Sequence, residues 1–475
     1  MASLRMVALL PAFNEAGGIG AAIEALLTQT RPVDLVVVIP NGCSDDTAAI
    51  AQRYAAAHDQ VVVFELPRLE NKKAEALNRA WAEYARDGDV VIAQDADSRL
   101  APDAFERWEA EFLADQARTH RERRHGALAG SSAKFSMPGK GMLASLQRSE
   151  FSNAVDRSLL RGWTPVSTGA GTAYDGAALR ALVGELGTEG PWPYGTPTED
   201  YRLTLLLRER GFKTVVSPTV RAETDPMRSV RALWGQRRKW GTGIIQDLSS
   251  AGLRGYTAYD WAQQFRLWIG VIIRLMAVTS IVGQILIREV LFDWRFWAIP
   301  IALETAKRMF FASRIHGRTR KDILLAASIA PSELYGWLLT ASSVNAYRIA
   351  SLKKVTGRET DLWTRQYLAE GHAAAAVHVD TPDSSIDVDV RVGKSHVDIR
   401  VRVTRRLRGW LVRCLAALIA LAAIRLAAEM LTSVNIKDWL DFGTVTFFTA
   451  LVLYNVADFV TISRLLVRWK DHQRP

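Results

Sequence analysis

The sequence has almost no cysteine and no recognisable targeting segment. Only Cys43 and Cys414 occur among 475 residues, which excludes a disulfide framework and a metal site built on clustered cysteines. The first residues lack the basic start, apolar stretch and cleavage site of a signal peptide, so we expect the N-terminal part to stay in the cytosol. Hydrophobic residues make up 49% of the chain, which excludes a disordered or collagen-like protein.

Acidic residues are fewer than basic ones. The chain has 60 Lys and Arg against 50 Asp and Glu, a formal net charge of +10. A positive surface attracts anions such as phosphate-bearing ligands, nucleic acid or acidic lipid headgroups. The basic residues flank apolar stretches and do not form one stripe, so we expect no nucleic-acid partner.

Residues 1–240 alternate between strand-like and helix-like segments. Apolar runs occur at 7–10, 35–39, 61–66 and 90–93, and helical spacing at 19–27, 48–57, 73–86 and 201–210. This alternation predicts a mostly parallel sheet covered by helices. Ligands of such sheets bind beyond the carboxyl ends of the strands, so polar residues at those ends are the candidates for function.

The second half of the sequence contains long apolar stretches. Most of the 15 tryptophans lie from Trp234 onward, and tryptophan concentrates at membrane interfaces. Four stretches are long enough to cross about 30 Å of hydrocarbon, namely 265–287, 291–312, 410–432 and 443–463. Ionisable groups interrupt all four, and such groups usually face a wet cavity or a partner; they include Arg274, Glu304, Arg425 and Asp458.

Basic residues follow the stretch that ends at 312, a fifth stretch at 323–345, and the stretch that ends at 463. Because basic loops stay in the cytosol, we expect two transmembrane hairpins, with 323–345 lying at the membrane interface. The alternative is that some of these stretches are buried helices of a soluble protein. Residues 386–392 and 397–403 alternate between apolar and polar positions around 393–396, which predicts a β-hairpin for which we expect no chemical role.

Two polar clusters follow predicted strands. Residues 41–46 include Asp45, which can accept hydrogen bonds from a base or a sugar, although this sequence is also ordinary turn chemistry. Asp95 and Asp97 come directly after the strand at 90–93 and can reach one hard cation, Mg²⁺ or Mn²⁺. The alternative for this pair is a solvated loop.

Two further clusters open predicted helices. Lys72 and Lys73 oppose the helix dipole, a conflict that a bound phosphate would relieve, although a solvated lysine pair is equally compatible. Glu199 and Asp200 follow Thr198, and Asp200 is either a general base or part of a helix cap.

A basic and aromatic cluster precedes the first apolar stretch. In residues 236–240, arginine can clamp a diphosphate and Trp240 offers a flat face to a sugar ring. The alternative is a basic anchor beside anionic lipid.

These five segments, together with residues 11–15 at the end of the first predicted strand, follow one another in a recognisable order, at 11–15, 41–47, 73–78, 95–97, 198–200 and 236–240. In this order they resemble the family-2, inverting membrane glycosyltransferases of GT-A type, which include cellulose, hyaluronan and poly-N-acetylglucosamine synthases. The resemblance is strong over 5–245 and loose over 246–370. Residues 361–365 resemble the segment that closes over the nucleotide in such synthases.

The resemblance implies roles for individual residues. The nucleotide base and ribose would contact Pro11, Asn14, Glu15 and Asp45, and the diphosphate would face Lys73. Asp95 and Asp97 would serve the nucleotide and a Mg²⁺ or Mn²⁺ ion, and Gly169 would line the acceptor side. The catalytic motif would contain Glu199 and the base Asp200, and the acceptor and diphosphate would meet Gln236, Arg237 and Trp240.

The chain departs from the family pattern at three points. Lys239 replaces the usual arginine, Pro40 stands where many relatives have aspartate, and no apolar span precedes the catalytic part. With about four spans, a polymer channel would be narrow or would need a partner subunit or a homo-oligomer.

The sequence therefore predicts an α/β GT-A (nucleotide-sugar-binding, Rossmann-like) catalytic domain followed by an α-helical transmembrane region. We expect a cytosolic catalytic domain at 1–245, interfacial helices and a first hairpin at 246–350, a cytosolic loop at 351–409 and a second hairpin at 410–475. With this arrangement, the chain would be a multi-pass protein of the plasma membrane.

The predicted reaction is metal-dependent, inverting transfer of a sugar from a nucleotide sugar, UDP-linked by the resemblance, to a hydroxyl acceptor. Elongation of a polysaccharide is one outcome, and a single transfer to a lipid or lipid-linked acceptor is the alternative. A non-catalytic nucleotide-binding membrane scaffold is an alternative of another class, but it leaves the acidic residues at the strand ends unexplained.

Overall fold

The structure is a computed structural model and describes residues 3–119, 126–287, 294–315, 317–356 and 361–370, with the short pairs 391–392 and 395–396. These residues divide into two compact units. The first holds the described residues up to 271 and those of 297–370, and the second holds the described residues of 272–296 and those from 391 onward.

An eight-stranded sheet forms the centre of the first unit, in the order β3-β2-β1-β4-β7-β6-β8-β5. Its strands are β1 (Met6–Ala12), β2 (Leu35–Pro40), β3 (Val61–Val63), β4 (Val90–Ala93), β5 (Ser98–Leu100), β6 (Leu128–Ser136), β7 (Thr172–Asp175) and β8 (Lys213–Thr224). The strands β1 to β4 pair in parallel, as do β6 and β8.

The sheet is mixed, which corrects the expectation of a mostly parallel sheet. Strand β7 pairs antiparallel with both β4 and β6, and β5 pairs antiparallel with β8. An apolar run predicts where a strand lies but not its direction, because direction depends on how the intervening chain returns to the sheet.

Eight helices accompany this sheet in the sequence. They are α1 (Ile19–Leu27), α2 (Thr47–Ala57), α3 (Lys72–Ala80), α4 (Ala104–Gln116), α5 (Met142–Arg161), α6 (Gly176–Leu186), α7 (Glu199–Glu209) and α8 (Val230–Ala251). The helix predicted at 73–86 is α3 followed by a π-helical turn, Trp81–Ala85. The predicted helices in this part therefore occur within one or two residues of their expected bounds.

Strand β1 is buried on both faces of the sheet. All seven of its residues are buried; Met6, Ala8 and Leu10 pack on one side and Val7 and Leu9 on the other. Residues of α1 and α4 cover the first side, and residues of α3, α6 and α7 cover the second. This two-sided burial accounts for the uninterrupted apolar runs of the strands and fixes their carboxyl ends along one edge of the sheet.

The second half of the described chain is helical. Its helices are α9 (Ala258–Ile287), α10 (Trp294–Ser313), α11 (Arg320–Ala327), α12 (Ile329–Thr356) and α13 (Leu362–Ala369). No single helix among the described residues has both the length and the apolar composition to cross a membrane. Helices α11 and α12 meet the requirement only as a pair, bent by 79°.

Several predicted segments fall partly or wholly outside the described residues. The apolar stretches at 410–432 and 443–463 lie outside them, and so does the first part of 291–312. Of the predicted hairpin, the structure describes an antiparallel pairing of β9 (Arg391–Val392) with β10 (Ser395–His396), so residues expected in the turn belong to a strand.

Candidate active site

The carboxyl ends of β1 and β2 bring two of the predicted segments into contact. Asn14 adopts a left-handed backbone conformation (φ 55°), and its Oδ1 accepts a hydrogen bond from the Ser44 amide at 2.7 Å. Asp45 accepts a hydrogen bond from the Ala16 amide at 3.1 Å. Burial alone would raise the pKa of Asp45, but hydrogen bonds from Thr47 and from Ala16 lower it, so this carboxylate stays charged.

Pro11 and Glu15 lie on either side of Asn14. Pro11 is buried within β1, opposite Ile39 of β2. Glu15 follows the strand, and burial, together with the charges of Asp97 and Asp95, raises its pKa to about 8. The structure therefore brings Glu15 close to the acidic residues that follow β4.

Lys73 joins two carboxylates that come from distant parts of the chain. Its Nζ lies 2.6 Å from Asp95 Oδ1, after β4, and 2.8 Å from Glu199 Oε1, at the start of α7. Burial alone would lower the pKa of Lys73, but the charges of Asp95 and Glu199 hold it well above its ordinary value. The site thus has a fixed positive charge between two negative ones.

Gly169 packs directly against Asp95. Its carbonyl oxygen accepts a hydrogen bond from the Asp95 amide at 2.8 Å, and a Cβ atom at residue 169 would overlap the Asp95 carboxylate. This close approach requires glycine. The predicted acceptor-side residue therefore touches the site through Asp95.

Asp200 has the properties of a general base at neutral pH. Burial, and then the charge of Glu199, raise its pKa to about 7, while Lys73 acts in the opposite direction. Its Oδ1 accepts a hydrogen bond from the Tyr201 amide at 2.7 Å, which fixes the carboxylate at the first turn of α7. A base with a pKa near the working pH is partly deprotonated and still basic enough to take a proton.

Asp97 is the second carboxylate predicted to bind a cation with Asp95. Burial and the charge of Asp95 raise the pKa of Asp97 to about 6. Its Oδ1 accepts hydrogen bonds from Ser98 at 3.0 Å and Thr224 at 3.4 Å, and no hydrogen bond from the described residues reaches its Oδ2. A divalent cation would offset the repulsion between the two carboxylates, so the donor set fits a hard cation.

The described residues contain no group of three or more His, Cys, Asp or Glu side chains arranged to hold a metal ion. Two carboxylates are still compatible with Mg²⁺, since that ion commonly keeps several waters and completes its ligands with substrate phosphates. The assignment of Asp95 and Asp97 as ligands therefore stays a prediction.

Three predicted residues of α8 contact one another and α5. Arg237 donates a hydrogen bond to Gln236 Oε1 at 2.6 Å and forms an ion pair with Glu150 at 2.8 Å. Its guanidinium also lies over the rings of Phe151 and Trp240. Among the described residues Arg237 pairs with no carboxylate other than Glu150, so the structure does not join it to the carboxylates around Lys73.

Lys239 lies beside those carboxylates, although sequence reasoning treated it only as a departure from the family pattern. Burial lowers its pKa to about 8; the charge of Glu199 opposes this shift and that of Lys73 adds to it. Its Nζ lies 3.3 Å from the ring centroid of Trp363. A side chain two positions from Arg237 on a helix points to a different side, which is why α8 presents Lys239 to the site and Arg237 to α5.

Helix α13 adds contacts that sequence reasoning missed. The Tyr367 hydroxyl accepts a hydrogen bond from Asn14 Nδ2 at 2.8 Å, and the Tyr367 ring lies 5.2 Å from that of Phe13. Asp361, before the helix, pairs with Lys72 at 2.6 Å. Asn14 and Lys72 are the two non-glycine residues with positive φ in the described chain, and both contact this segment.

A weak sequence signal for Tyr367 did exist. It lies four residues after Trp363, so the two aromatic rings share one side of α13. Asn14 and Phe13, which Tyr367 contacts, lie far from it in the sequence. Local spacing therefore does not reveal these contacts.

The sequence of the chain matches a known protein family and several curated proteins. The profile of the family described as "Glycosyltransferase like family 2" matches residues 5–243. The chain is 34% identical over 118 residues to the succinoglycan biosynthesis protein ExoA of Rhizobium meliloti, covering 25% of this chain and 35% of that protein. It is 25% identical over 241 residues to the beta-monoglucosyldiacylglycerol synthase of a Synechocystis species, covering 50% of this chain and 47% of that protein.

Two further proteins resemble the chain. The poly-beta-1,6-N-acetyl-D-glucosamine synthase of Staphylococcus aureus is 24% identical over 266 residues, covering 55% of this chain and 58% of that protein. The chain thus spans less than two thirds of the length of each of these curated relatives. Among solved structures, a mannosyltransferase of Pyrobaculum calidifontis, in complex with GDP-mannose and Mn²⁺, is 20% identical, with a TM-score of 0.45, covering 76% of this chain and 89% of its own.

The family match covers half of the chain and includes all the residues assigned above to the strand ends, α7 and the start of α8. The resemblance inferred from the sequence is therefore confirmed, and this chain belongs to glycosyltransferase family 2.

Proposed function

We propose that the chain is an inverting, metal-dependent membrane glycosyltransferase that takes a sugar from a UDP-sugar and elongates a polysaccharide. The observation that carries this proposal is the ion pairing of Lys73 with both Asp95 and Glu199, beside Asp200. It brings a cation for a diphosphate and a base for a hydroxyl into one cluster. A binding scaffold would gain nothing from a base with a raised pKa at that point.

The reaction follows from these groups. Asp200 accepts the proton of the acceptor hydroxyl, whose oxygen attacks the anomeric carbon from the side opposite the diphosphate. The new glycosidic bond forms as the bond to the diphosphate breaks, and the nucleoside diphosphate leaves with that electron pair. Lys73 and Lys239 lie where they can stabilise the charge that develops on the leaving group, an effect typically worth a few kcal/mol per donor.

Asp95 and Asp97 would hold Mg²⁺ or Mn²⁺, which supplies further positive charge to the diphosphate when bound. Around them, the nucleotide would contact Pro11, Asn14, Glu15 and Asp45. Asn14 accepts a hydrogen bond from Ser44 and Asp45 accepts one from Ala16, so the segments after β1 and β2 contact each other. Gly169 would line the acceptor side. Gln236 and Trp240 would support the acceptor from α8, and Arg237 would hold both of them in place through its ion pair with Glu150.

Exposed apolar side chains support the membrane part of the proposal. Phe265, on α9, is 69% exposed, and Leu324 and Leu334, on α11 and α12, are 68% and 71% exposed. Side chains of this kind are costly in water and typical of a lipid or protein contact. We therefore keep the predicted arrangement of a catalytic domain at 1–245, hairpins at 265–312 and 410–463, and an interfacial segment at 323–345 in the plasma membrane.

The test is incubation of membranes that contain the full chain with a panel of labelled nucleotide sugars and either Mg²⁺ or Mn²⁺. Released nucleoside diphosphate and product length are both measured, with Asp200→Asn membranes as the control. We expect metal-dependent release and a ladder of long chains. Release without any glycosylated product, or equal release from the control, would contradict the proposal.

Transfer of a single sugar to a lipid is the second candidate. It is favoured by the similarity to a relative named as a glucosyldiacylglycerol synthase. In the same assay this activity would give one small organic-soluble product in place of a ladder.

Extraction of the membranes with alkaline carbonate tests the membrane assignment separately, because a protein with transmembrane hairpins stays in the pellet.

A further inference from the structure

A strongly basic pocket lies between the central sheet and the turn after α10. Four cationic side chains line it: Lys134 from β6, Arg221 from β8, and Arg314 and Arg318 from the turn. Ser313, Ile315 and Gly317 also line it, and the cavity has a volume of about 670 Å³. We call it the basic pocket; no residue that lines it has a part in the proposed reaction.

The sheet register explains why two of the cations face the same space. Lys134 and Arg221 are paired positions on the neighbouring strands β6 and β8, so their side chains stand on the same face of the sheet. The turn after α10 then adds Arg314 and Arg318 from the other side of the pocket. Pairing two cations across a ladder is unfavourable unless an anion lies between or beside them.

The pocket contains only a partial counter-charge. Asp156 is fully buried and accepts hydrogen bonds from Lys134 and Arg314, both at 2.8 Å. Arg221 donates instead to the carbonyl oxygens of Val220 and Pro218. Arg318 donates to the carbonyl oxygen of Ser313 at 2.7 Å. In the described part of the chain neither of these two arginines pairs with a carboxylate.

The surroundings of Arg221 leave its charge uncompensated. Burial, and then the charge of Arg107, lower the pKa of Arg221, while Asp103 and Asp156 act in the opposite direction. Arg107 and Asp103 pair with each other at 2.6 Å, so together they add no net charge. Among the described residues, Asp156 is the carboxylate that forms ion pairs with cations of the pocket, and it pairs with Lys134 and Arg314.

We propose that the basic pocket binds a phosphate group, carried either by the headgroup of an anionic lipid or by a soluble phosphate compound. Guanidinium groups match the oxygens of phosphate and bind them through charge-assisted hydrogen bonds. The volume is in the range of pockets that bind small molecules, roughly 300–1,000 Å³. The turn that contributes two of the arginines directly follows the apolar stretch at 291–312, which supports the lipid source.

The test uses the full chain, purified in a neutral detergent, and measures equilibrium binding and the midpoint of thermal unfolding. One arm adds phosphatidylglycerol to the micelles, with phosphatidylcholine as the uncharged comparison. The other arm adds inorganic phosphate, with chloride at equal ionic strength. These arms are repeated on the double variant Arg221→Gln/Arg318→Gln and on Arg53→Gln, an exposed arginine of α2 at the opposite edge of the sheet.

We expect at least one arm to show saturable binding that the double variant weakens roughly tenfold or more, the loss typical of a charged hydrogen-bond partner. Saturation by phosphatidylglycerol alone assigns the lipid source, and saturation by phosphate assigns the soluble one. Saturation in neither arm, or an equal loss in Arg53→Gln, overturns the proposal.

Arg318→Gln alone covers the case in which the double variant does not fold, because Arg318 is exposed and, among the described residues, its hydrogen bonds stay within its own turn. Arg318→Lys, which keeps the charge, should retain most of the binding. The binding measurement does not use sugar transfer, so a negative result for the basic pocket would leave the proposed function unaffected.

Discussion

Lys73 lies within 2.8 Å of Glu199, although the two residues begin helices in distant parts of the sequence. The side chain of Lys73 is 19% exposed and that of Glu199 is 7% exposed, so solvent screens this ion pair only weakly. Removing one partner of a buried pair leaves the other charge without compensation, which costs more than losing a surface pair.

Replacing Lys73 by methionine is therefore expected to lower both stability and activity. We expect a loss of about 3 kcal/mol in the free energy of unfolding, because Asp95 and Glu199 are left unpaired. Lys72→Met is the matched control, since Lys72 pairs with Asp361 at an exposed position and should cost less than about 1 kcal/mol. Denaturant unfolding of both variants measures the two losses of stability. Equal losses would show that the buried ion pairs of Lys73 contribute no more to stability than the exposed pair of Lys72.

The substitution Asp200→Asn tests the proposed base. The amide keeps the shape of the side chain but does not accept the proton of the acceptor, so turnover should fall roughly 10²–10⁴-fold. Binding of UDP should be unchanged, because Asp200 has no proposed contact with the nucleotide. The control is Glu209→Gln at the exposed end of the same helix, which should keep normal turnover. A variant with near-normal activity would remove Asp200 from its role.

The raised pKa of Asp200 predicts how activity depends on pH. Because the base must be deprotonated, kcat/KM should rise with pH through an apparent pKa near 7, and it should fall again as Lys239 loses its proton near its pKa of about 8. Glu199 is the charge that raises this pKa most, so Glu199→Gln should move the rise to lower pH. The measurement is a pH profile of sugar transfer for both proteins, and a profile that does not move in the variant argues against Asp200 as the titrating group.

The two halves of the site differ in how far the sequence determined them. The residues at the ends of β1, β2 and β4 were predictable, because buried parallel strands have continuous apolar runs and their ends share one edge. The contacts of Lys239 and Tyr367 were not predictable, because they depend on which side of α8 and α13 faces the sheet. Contacts with α5 and with Asn14 set that orientation, and they join residues far apart in the sequence.

The opposite orientations of Arg237 and Lys239 predict different effects of substitution. Lys239→Met should reduce kcat/KM strongly with little loss of stability, since this buried cation forms no ion pair with the described residues and is itself unfavourable. Arg237→Met should instead lower the free energy of unfolding by about 1–3 kcal/mol, because Glu150 loses its partner. Thermal unfolding and steady-state kinetics on both variants separate the effects, and the reverse pattern would show that Arg237 acts on substrate.

Gly169 provides a test of the geometry around Asp95 that leaves every charge in place. A methyl group at this position would overlap the Asp95 carboxylate, so Gly169→Ala should displace it from Lys73 and lower turnover at least roughly tenfold. Gly184→Ala, in α6, is the control because open space surrounds its added methyl group. That change should be neutral or stabilising by about 0.5–1 kcal/mol, since alanine favours a helix. Equal activity of the two alanine variants would mean that the contact between Gly169 and Asp95 does not control the reaction, and that the ion pair at Lys73 tolerates a shift of its carboxylate.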